Sequence, residues 1–277
     1  MPRSARFGPR TALVAIVAGL ALTGLLTAAC SGGSGGSVDE PGTTSAPPPL
    51  EVVVTTPILG DVVAAVAGDR AHVTVLMHRT DDPRAFTLPA GDDQVLAAAD
   101  LVVAVDPATY EVGLAAPIAA ATSSSADGNP APELVVAVDV LDARRVDGTP
   151  DPHVWLDADR FTTLAREVAR AMAARSLTDP APWQAAAEDY GHQLALADEQ
   201  VQATLAPLTP GQRRLVVTDQ RLGYTADRYD LELVPLDAGA DPGQVLAIDV
   251  DRLGPPGTPT GTVAGLLVSI ATQIATA

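Results

Sequence analysis

Apolar positions in this chain fall into short unbroken runs, and the segments between them carry apolar residues at helical spacing. Four runs in the first half, EVVVTTPIL (51–59), HVTVLM (72–77), LVVAVD (101–106) and ELVVAVDV (133–140), predict β-strands rich in β-branched residues. They do not alternate with polar residues, which is the pattern of a parallel sheet covered on both faces. The segments between them, 60–69, 92–100 and 110–121, predict helices. DADRFTTLAREVARAMAARS (157–176) predicts a helix opening at an aspartate cap. Residues 180–207 predict a longer helix bounded by prolines. At 1.5 Å per residue it would span about 35–40 Å, enough to bridge two lobes. Beyond it the alternation resumes with strands at 213–219, 231–236 and 245–251, a helix near 222–229, and a last helix from about 258. Strand–helix alternation of this kind predicts an α/β fold.

The first fifty residues follow a different pattern. Arg3, Arg6 and Arg10 precede an apolar run from Thr11 to Leu26 and the small residues Thr27-Ala28-Ala29, the layout of an export signal (1–29). Cys30 comes next, the only cysteine in the chain, and then SGGSGGS. A small-residue cleavage site ending in cysteine resembles a bacterial lipobox, although the usual leucine sits one place further upstream, at Leu26. The resemblance implies that Cys30 is lipidated, with residues 30–50 as a flexible tether. No cysteine is then left for a disulfide or a thiolate metal site.

Composition narrows the partners. Asp and Glu number 34 against 17 basic residues, every one of them arginine, for a net charge of −17. Nucleic acid and anionic lipid surfaces are poor partners for such a body. No GxSxG, HExxH or P-loop is present, so the residues give no support to an enzyme.

Chemistry concentrates in a few places. DPHVWLDADRF (151–161) holds His153, one of only four histidines, behind Asp151-Pro152. Together with VVVTTPILGDVVAAVAGDRAHVTVL, DDPRAFTLPAGDDQVLAAADLVVAV, RRLVVTDQRLGYTADRYDLELV and DVDRLGPPGTPTGT, it resembles successive blocks of the metal-binding receptors of zinc and manganese ABC transporters, in order over most of 51–275. The resemblance implies two α/β lobes with mainly parallel sheets, 51–179 and 208–277, joined by a linking helix over 180–207. It also implies one dication held between the lobes by four side chains, and delivery by a monomeric receptor to an ABC permease. By position it makes His153, Asp219 and Asp251 the ligands, with Zn²⁺ or Mn²⁺ as cargo; one imidazole and two carboxylates lean toward Mn²⁺.

The chain departs from the family pattern at the first ligand. Where the family reads Asp-Pro-His, this sequence has Asp82-Pro83-Arg84, and a guanidinium has no lone pair to give. Either Arg84 turns away and Asp81, Asp82 or water fills its place, or no metal binds. In the second case Arg84 is itself the cation, a bidentate partner for Asp219 or Asp251 that ties the lobes together. The C-terminal lobe is also shortened: about eight residues separate 231–236 from 245–251, fewer than a parallel crossover needs. These departures keep a second class open, a non-transport accessory or adhesion lipoprotein on the same scaffold. His72 and His192 read as surface residues, His78 as a weak candidate for the cleft, and Trp155 and Trp183 as packing residues.

Overall fold

The computed structural model describes residues 48–123, 130–177, 179–236 and 245–277. The export signal, Cys30 and most of the tether lie outside them. The first sheet contains β1 (Leu50–Val54), β2 (Ala71–Val75), β3 (Leu101–Ala104) and β4 (Glu133–Val136) in the order β2-β1-β3-β4, all parallel. Every residue of β3 is buried, as the unbroken apolar run requires. Leu101 and Val103 face a core built with α1 (Pro57–Ala67) and α5 (Ala158–Ser176). Val102 and Ala104 face a smaller core with Leu96 of α2 (Asp93–Ala97) and Ile118 of α3 (Ala115–Ser123).

Two predicted strands run on too far. The first ends at Val54; Thr56 then caps α1 through its hydroxyl, 3.3 Å from Leu59 N, with Pro57 at the first helical position. The fourth gives way at Ala137 to a short helix, α4 (Ala137–Val140). A β-branched apolar run reads the same in a buried strand and a buried helix turn, so the pattern does not mark where one becomes the other.

A hairpin went unpredicted: β5 (Arg145–Val146) and β6 (Thr149–Pro150), antiparallel, turning at Asp147 (φ 51°) and Gly148 (φ 82°). Asp-Gly is the turn pair that favours positive φ at both positions, and that signal was present in RRVDGTP.

Asp157 caps α5 by accepting from Asp159 N and Arg160 N, as the sequence indicates. The long helix α6 (Ala181–Leu205) packs on α5, α1 and the C-terminal helix α8 (Val263–Thr276). Gly191 allows the α5 approach, since a Cβ there would lie 2.8 Å from Thr162 Cγ2. Arg228 and Tyr229 of α7 (Gly223–Tyr229) meet Asp198 of α6, at 2.6 Å for Arg228 Nε and 2.5 Å for the tyrosine hydroxyl.

The second sheet pairs β7 (Arg214–Val217) with β8 (Glu232–Pro235) in parallel. The strand predicted over 245–251 is present only as a single parallel bridge, Val245 with Val216, followed by Leu246 N donating to Val216 O. Residues 237–244, between β8 and Val245, lie outside the described residues. The last helix begins at 263 rather than near 258, because Pro255–Gly261 form a turn and Thr262 provides the cap. The fold is therefore a two-lobed α/β architecture with a thin second sheet, and one continuous apolar cluster runs from the first sheet through α5, α6 and α8 to β7.

Candidate metal site

The segments that leave the carboxyl ends of both sheets come together around a cleft of about 760 Å³ lined by Arg84, Asp219, Arg221 and Asp251; His153 and Tyr110 are not on its wall and reach it through their contacts with Asp251. Arg84 follows β2, Tyr110 follows β3, His153 precedes α5, Asp219 and Arg221 follow β7, and Asp251 lies six residues after the Val245 bridge.

His153 is buried at 4% exposure. Asp151 Oδ1 accepts from its backbone N at 3.1 Å and lies 2.6 Å from Nδ1. A carboxylate on Nδ1 fixes the ring and leaves Nε2 to face the other way. Nε2 is buried without an aligned hydrogen-bond partner, in ion-pair range of Asp251 Oδ1 at 3.3 Å. Burial works against the imidazolium, but Asp151 and Asp251 outweigh it and raise the His153 pKa above its ordinary value. Burial likewise favours a protonated Asp251, yet His153, Arg84 and Arg221 override it and hold the carboxyl below its usual range. Each group thus favours the charged form of the other, and a dication that used both would have to compete with that pairing.

Asp251 is crowded. Its Oδ1 accepts from the Tyr110 hydroxyl at 3.2 Å. Its Oδ2 is 3.1 Å from Arg221 Nη1 and 3.6 Å from Arg84 Nη1. The Arg84 guanidinium lies over the Tyr110 ring, 4.5 Å from its centroid, and meets the carboxylate through one nitrogen, not the bidentate fork that the sequence suggested. Asp219 is half-exposed and turned onto Arg221, whose Nε is 3.0 Å from its Oδ2. Of the three sequence-predicted ligands, the structure brings His153 and Asp251 together, whereas Asp219 reaches them only through Arg221. Among the described residues no group of three or more His, Cys, Asp or Glu side chains is arranged around a metal position. His72 pairs with Glu51, His78 is exposed beside Asp81, and His192 is exposed.

The donors fit half a dication site. An imidazole nitrogen backed by a carboxylate and facing a second carboxylate is suitable chemistry for Zn²⁺ or Mn²⁺. The two guanidiniums are not: a unit charge 4 Å from a dication costs about 8 kcal/mol at an effective dielectric of 20.

Sequence reasoning missed Tyr110, Arg221 and Arg144. Arg221 had a signal, standing two residues after Asp219 in TDQR. Arg144 had none. Its Nη1 is 3.0 Å from Asp151 Oδ2 and its Nε 3.2 Å from Asp227 Oδ2 of α7, so it ties the carboxylate behind His153 to the second lobe. A Cβ at Gly223 would fall 1.2 Å from Arg144 Nη1. Gly223→Ala is therefore expected to push Arg144 off Asp151 and destabilise the fold by about 1–3 kcal/mol, the cost of a buried acceptor left without its charged partner. Urea unfolding checks this, and a stability equal to wild type would show that Arg144 relocates freely.

Two α/β sheets whose carboxyl ends share one cleft define a bilobed binding protein. The chain belongs to the family described as zinc-uptake complex component A, periplasmic, whose sequence model matches residues 52–262. It is 23% identical over 201 residues to the manganese-binding lipoprotein MntA of Halalkalibacterium halodurans, covering 73% of this chain and 65% of that protein. It is 24% identical over 206 residues to the metal-binding protein YtgA of Chlamydia muridarum, covering 72% and 58% respectively. The chain thus spans just under two thirds of the one relative and less of the other. Among solved structures, the periplasmic zinc-binding protein TroA of Treponema pallidum superposes with a TM-score of 0.71 at 19% identity, over 83% of this chain and 99% of that one. A manganese-bound periplasmic metal-binding protein of Candidatus Liberibacter asiaticus gives 0.68 at 17% identity, over 81% and 98%. These likenesses establish the shared fold.

Proposed function

We propose that this chain is the extracytoplasmic, lipid-anchored solute-binding component of an ABC importer for a divalent metal, zinc or manganese. Its N-terminal lobe is 51–179, its linking helix 180–207 and its second lobe 208–277. Cys30 carries the lipid, and a membrane permease receives the cargo from the monomer. No helix among the described residues is long and apolar enough to cross a membrane. The observation that carries the reading is the buried His153 Nε2, held by Asp151 and facing Asp251 without an aligned hydrogen-bond partner. Asp219 completes the set if it turns from Arg221 into the cleft. Calorimetry with Zn²⁺ and Mn²⁺ tests it. Wild type is expected to bind one ion, and His153→Ala to weaken binding by at least about 100-fold, since losing a ligand costs no less than losing a group that merely supports one, roughly 10–100-fold. Undiminished binding by the variant would remove His153 from the site.

One observation favours a second reading, a non-transport accessory or adhesion lipoprotein. Arg221 and Arg84 both lie on Asp251 Oδ2, where an internal cation can stand in for the cargo. Absence of heat with either metal would decide for it.

A further inference from the structure

Arg84 is poorly used by the protein. Among the described residues its guanidinium donates no hydrogen bond; it stacks on Tyr110 and keeps one ion-pair contact of 3.6 Å, with the side chain 45% exposed. Arg221 spends Nε on Asp219 and Nη1 on Asp251, and its Nη2 has no protein partner among the described residues. Both guanidiniums converge on one carboxylate oxygen, and both residues line the same cleft. A cleft of about 760 Å³ has room for more than an ion, since pockets of roughly 300–1,000 Å³ hold small organic ligands.

Paired guanidiniums with free donors are chemistry for an oxyanion, which they grip through parallel N–H···O bonds. A free anion is nevertheless a poor occupant, because the lining holds five aspartates against three arginines. A bare dication is a poor occupant for the opposite reason, with Arg84 and Arg221 beside its carboxylate. An anion bound to the dication removes both conflicts: its oxygens face the guanidiniums, and its charge screens them from the metal. It also supplies donor atoms, which the side chains here do not provide in sufficient number: among the described residues no three His, Cys, Asp or Glu groups surround one point.

We propose that the cleft takes its dication as a complex with a small oxyanion, a carbonate or an organic di- or tricarboxylate, with the metal at His153 and Asp251 and the anion held by Arg84 and Arg221. The proposal rests on the metal-receptor reading above. The anion stays with the cargo as a ligand, and no covalent bond is made or broken.

The test is the sign of the anion's effect. The full-length protein in detergent is titrated with Mn²⁺ in decarbonated buffer, then at matched free Mn²⁺ with bicarbonate in one arm and citrate in another. A site for bare metal is indifferent to either anion at matched free metal. The proposal expects at least one of them to tighten Mn²⁺ binding by about tenfold, a coupling of ordinary size. It identifies the anion by the arm that responds. Arg84→Gln keeps the length of the side chain without its charge; it is expected to lose the enhancement and, with one cation removed from beside Asp251, to bind Mn²⁺ alone more tightly than wild type. If Mn²⁺ binds alone and neither anion changes it, the proposal is overturned and the metal-receptor reading stands. An enhancement that survives in Arg84→Gln also overturns it, by placing the anion elsewhere. If wild type and Arg84→Gln bind neither Mn²⁺ nor Zn²⁺ with or without anion, the receptor reading itself fails.

Discussion

Trp155→Ala is expected to destabilise the protein by about 3–5 kcal/mol, the range for removing a buried tryptophan. Trp155 is 1% exposed and packs edge-on to His153, with ring centroids 5.3 Å apart, and beside Tyr110 at 6.2 Å. Its indole N–H donates to Val250 O at 2.8 Å, so it also holds the second lobe one residue before Asp251. The substitution leaves both a cavity and a buried carbonyl without a donor. For a body of this size the melting temperature should fall by about 10 °C. Trp155→Phe separates the two effects, because it keeps most of the ring and loses the N–H; a cost of about 1–2 kcal/mol is expected from the lost hydrogen bond and the smaller side chain. Thermal and urea unfolding of the three proteins measure this. A loss below about 1 kcal/mol for the alanine variant would show that the two lobes do not close on this ring.

The site around Trp155 was only half legible in the sequence. His153 and Asp251 stand at element boundaries, after Asp-Pro and after a strand-like run, and such positions can be found by pattern. Whether they share a cleft depends on the lobe arrangement, which the long helix suggests and packing decides. Arg144 illustrates what pattern cannot show. The Asp-Gly pair three residues on marks a turn but says nothing of Arg144, whose role comes from Asp151, seven residues on, and from Gly223 and Asp227 in the other lobe. The parallel sheet was legible because burial on both faces leaves an unbroken apolar run. The strand predicted at 245–251 failed for the complementary reason. VLAID is apolar enough to be a strand, but only Val245 finds a ladder partner, and the residues beyond it turn toward the cleft. Charge was the most informative signal at the metal site: an arginine where the resemblance implies a histidine announced a changed cation chemistry, and Arg84 does lie against Asp251.

The same part of the structure makes stability depend on pH in a direction unusual for a carboxylate. Glu111 follows the Tyr110 whose hydroxyl reaches Asp251, and it is fully buried. Its Oε2 accepts from Val105 N at 2.9 Å and Asp106 N at 3.2 Å, and Oε1 meets the Thr55 hydroxyl. Burial pushes its pKa up to about 7; the bonds from Thr55, Asp106 and Val105 oppose the shift, and the Asp106 charge adds to it. The folded state therefore holds the proton more tightly than the unfolded chain. The stability this gives is complete below the ordinary glutamate range and is lost as pH rises through about 7. At 1.36 kcal/mol per unit, a rise of this size amounts to about 3 kcal/mol between pH 4.5 and pH 8.5. Glu111→Gln can keep both backbone acceptor contacts and donate its amide to Thr55, without a charge to bury. The difference in unfolding free energy between wild type and variant should thus be small at pH 4.5, and the variant should be more stable by about 3 kcal/mol at pH 8.5. Taking the difference between the two proteins cancels the titration of His153 and Asp251, which is common to both. Urea unfolding at the two pH values measures it. A difference that does not change with pH would mean that the Glu111 carboxyl titrates as it does in water, and that the loop carrying Tyr110 is not anchored through a buried, protonated side chain.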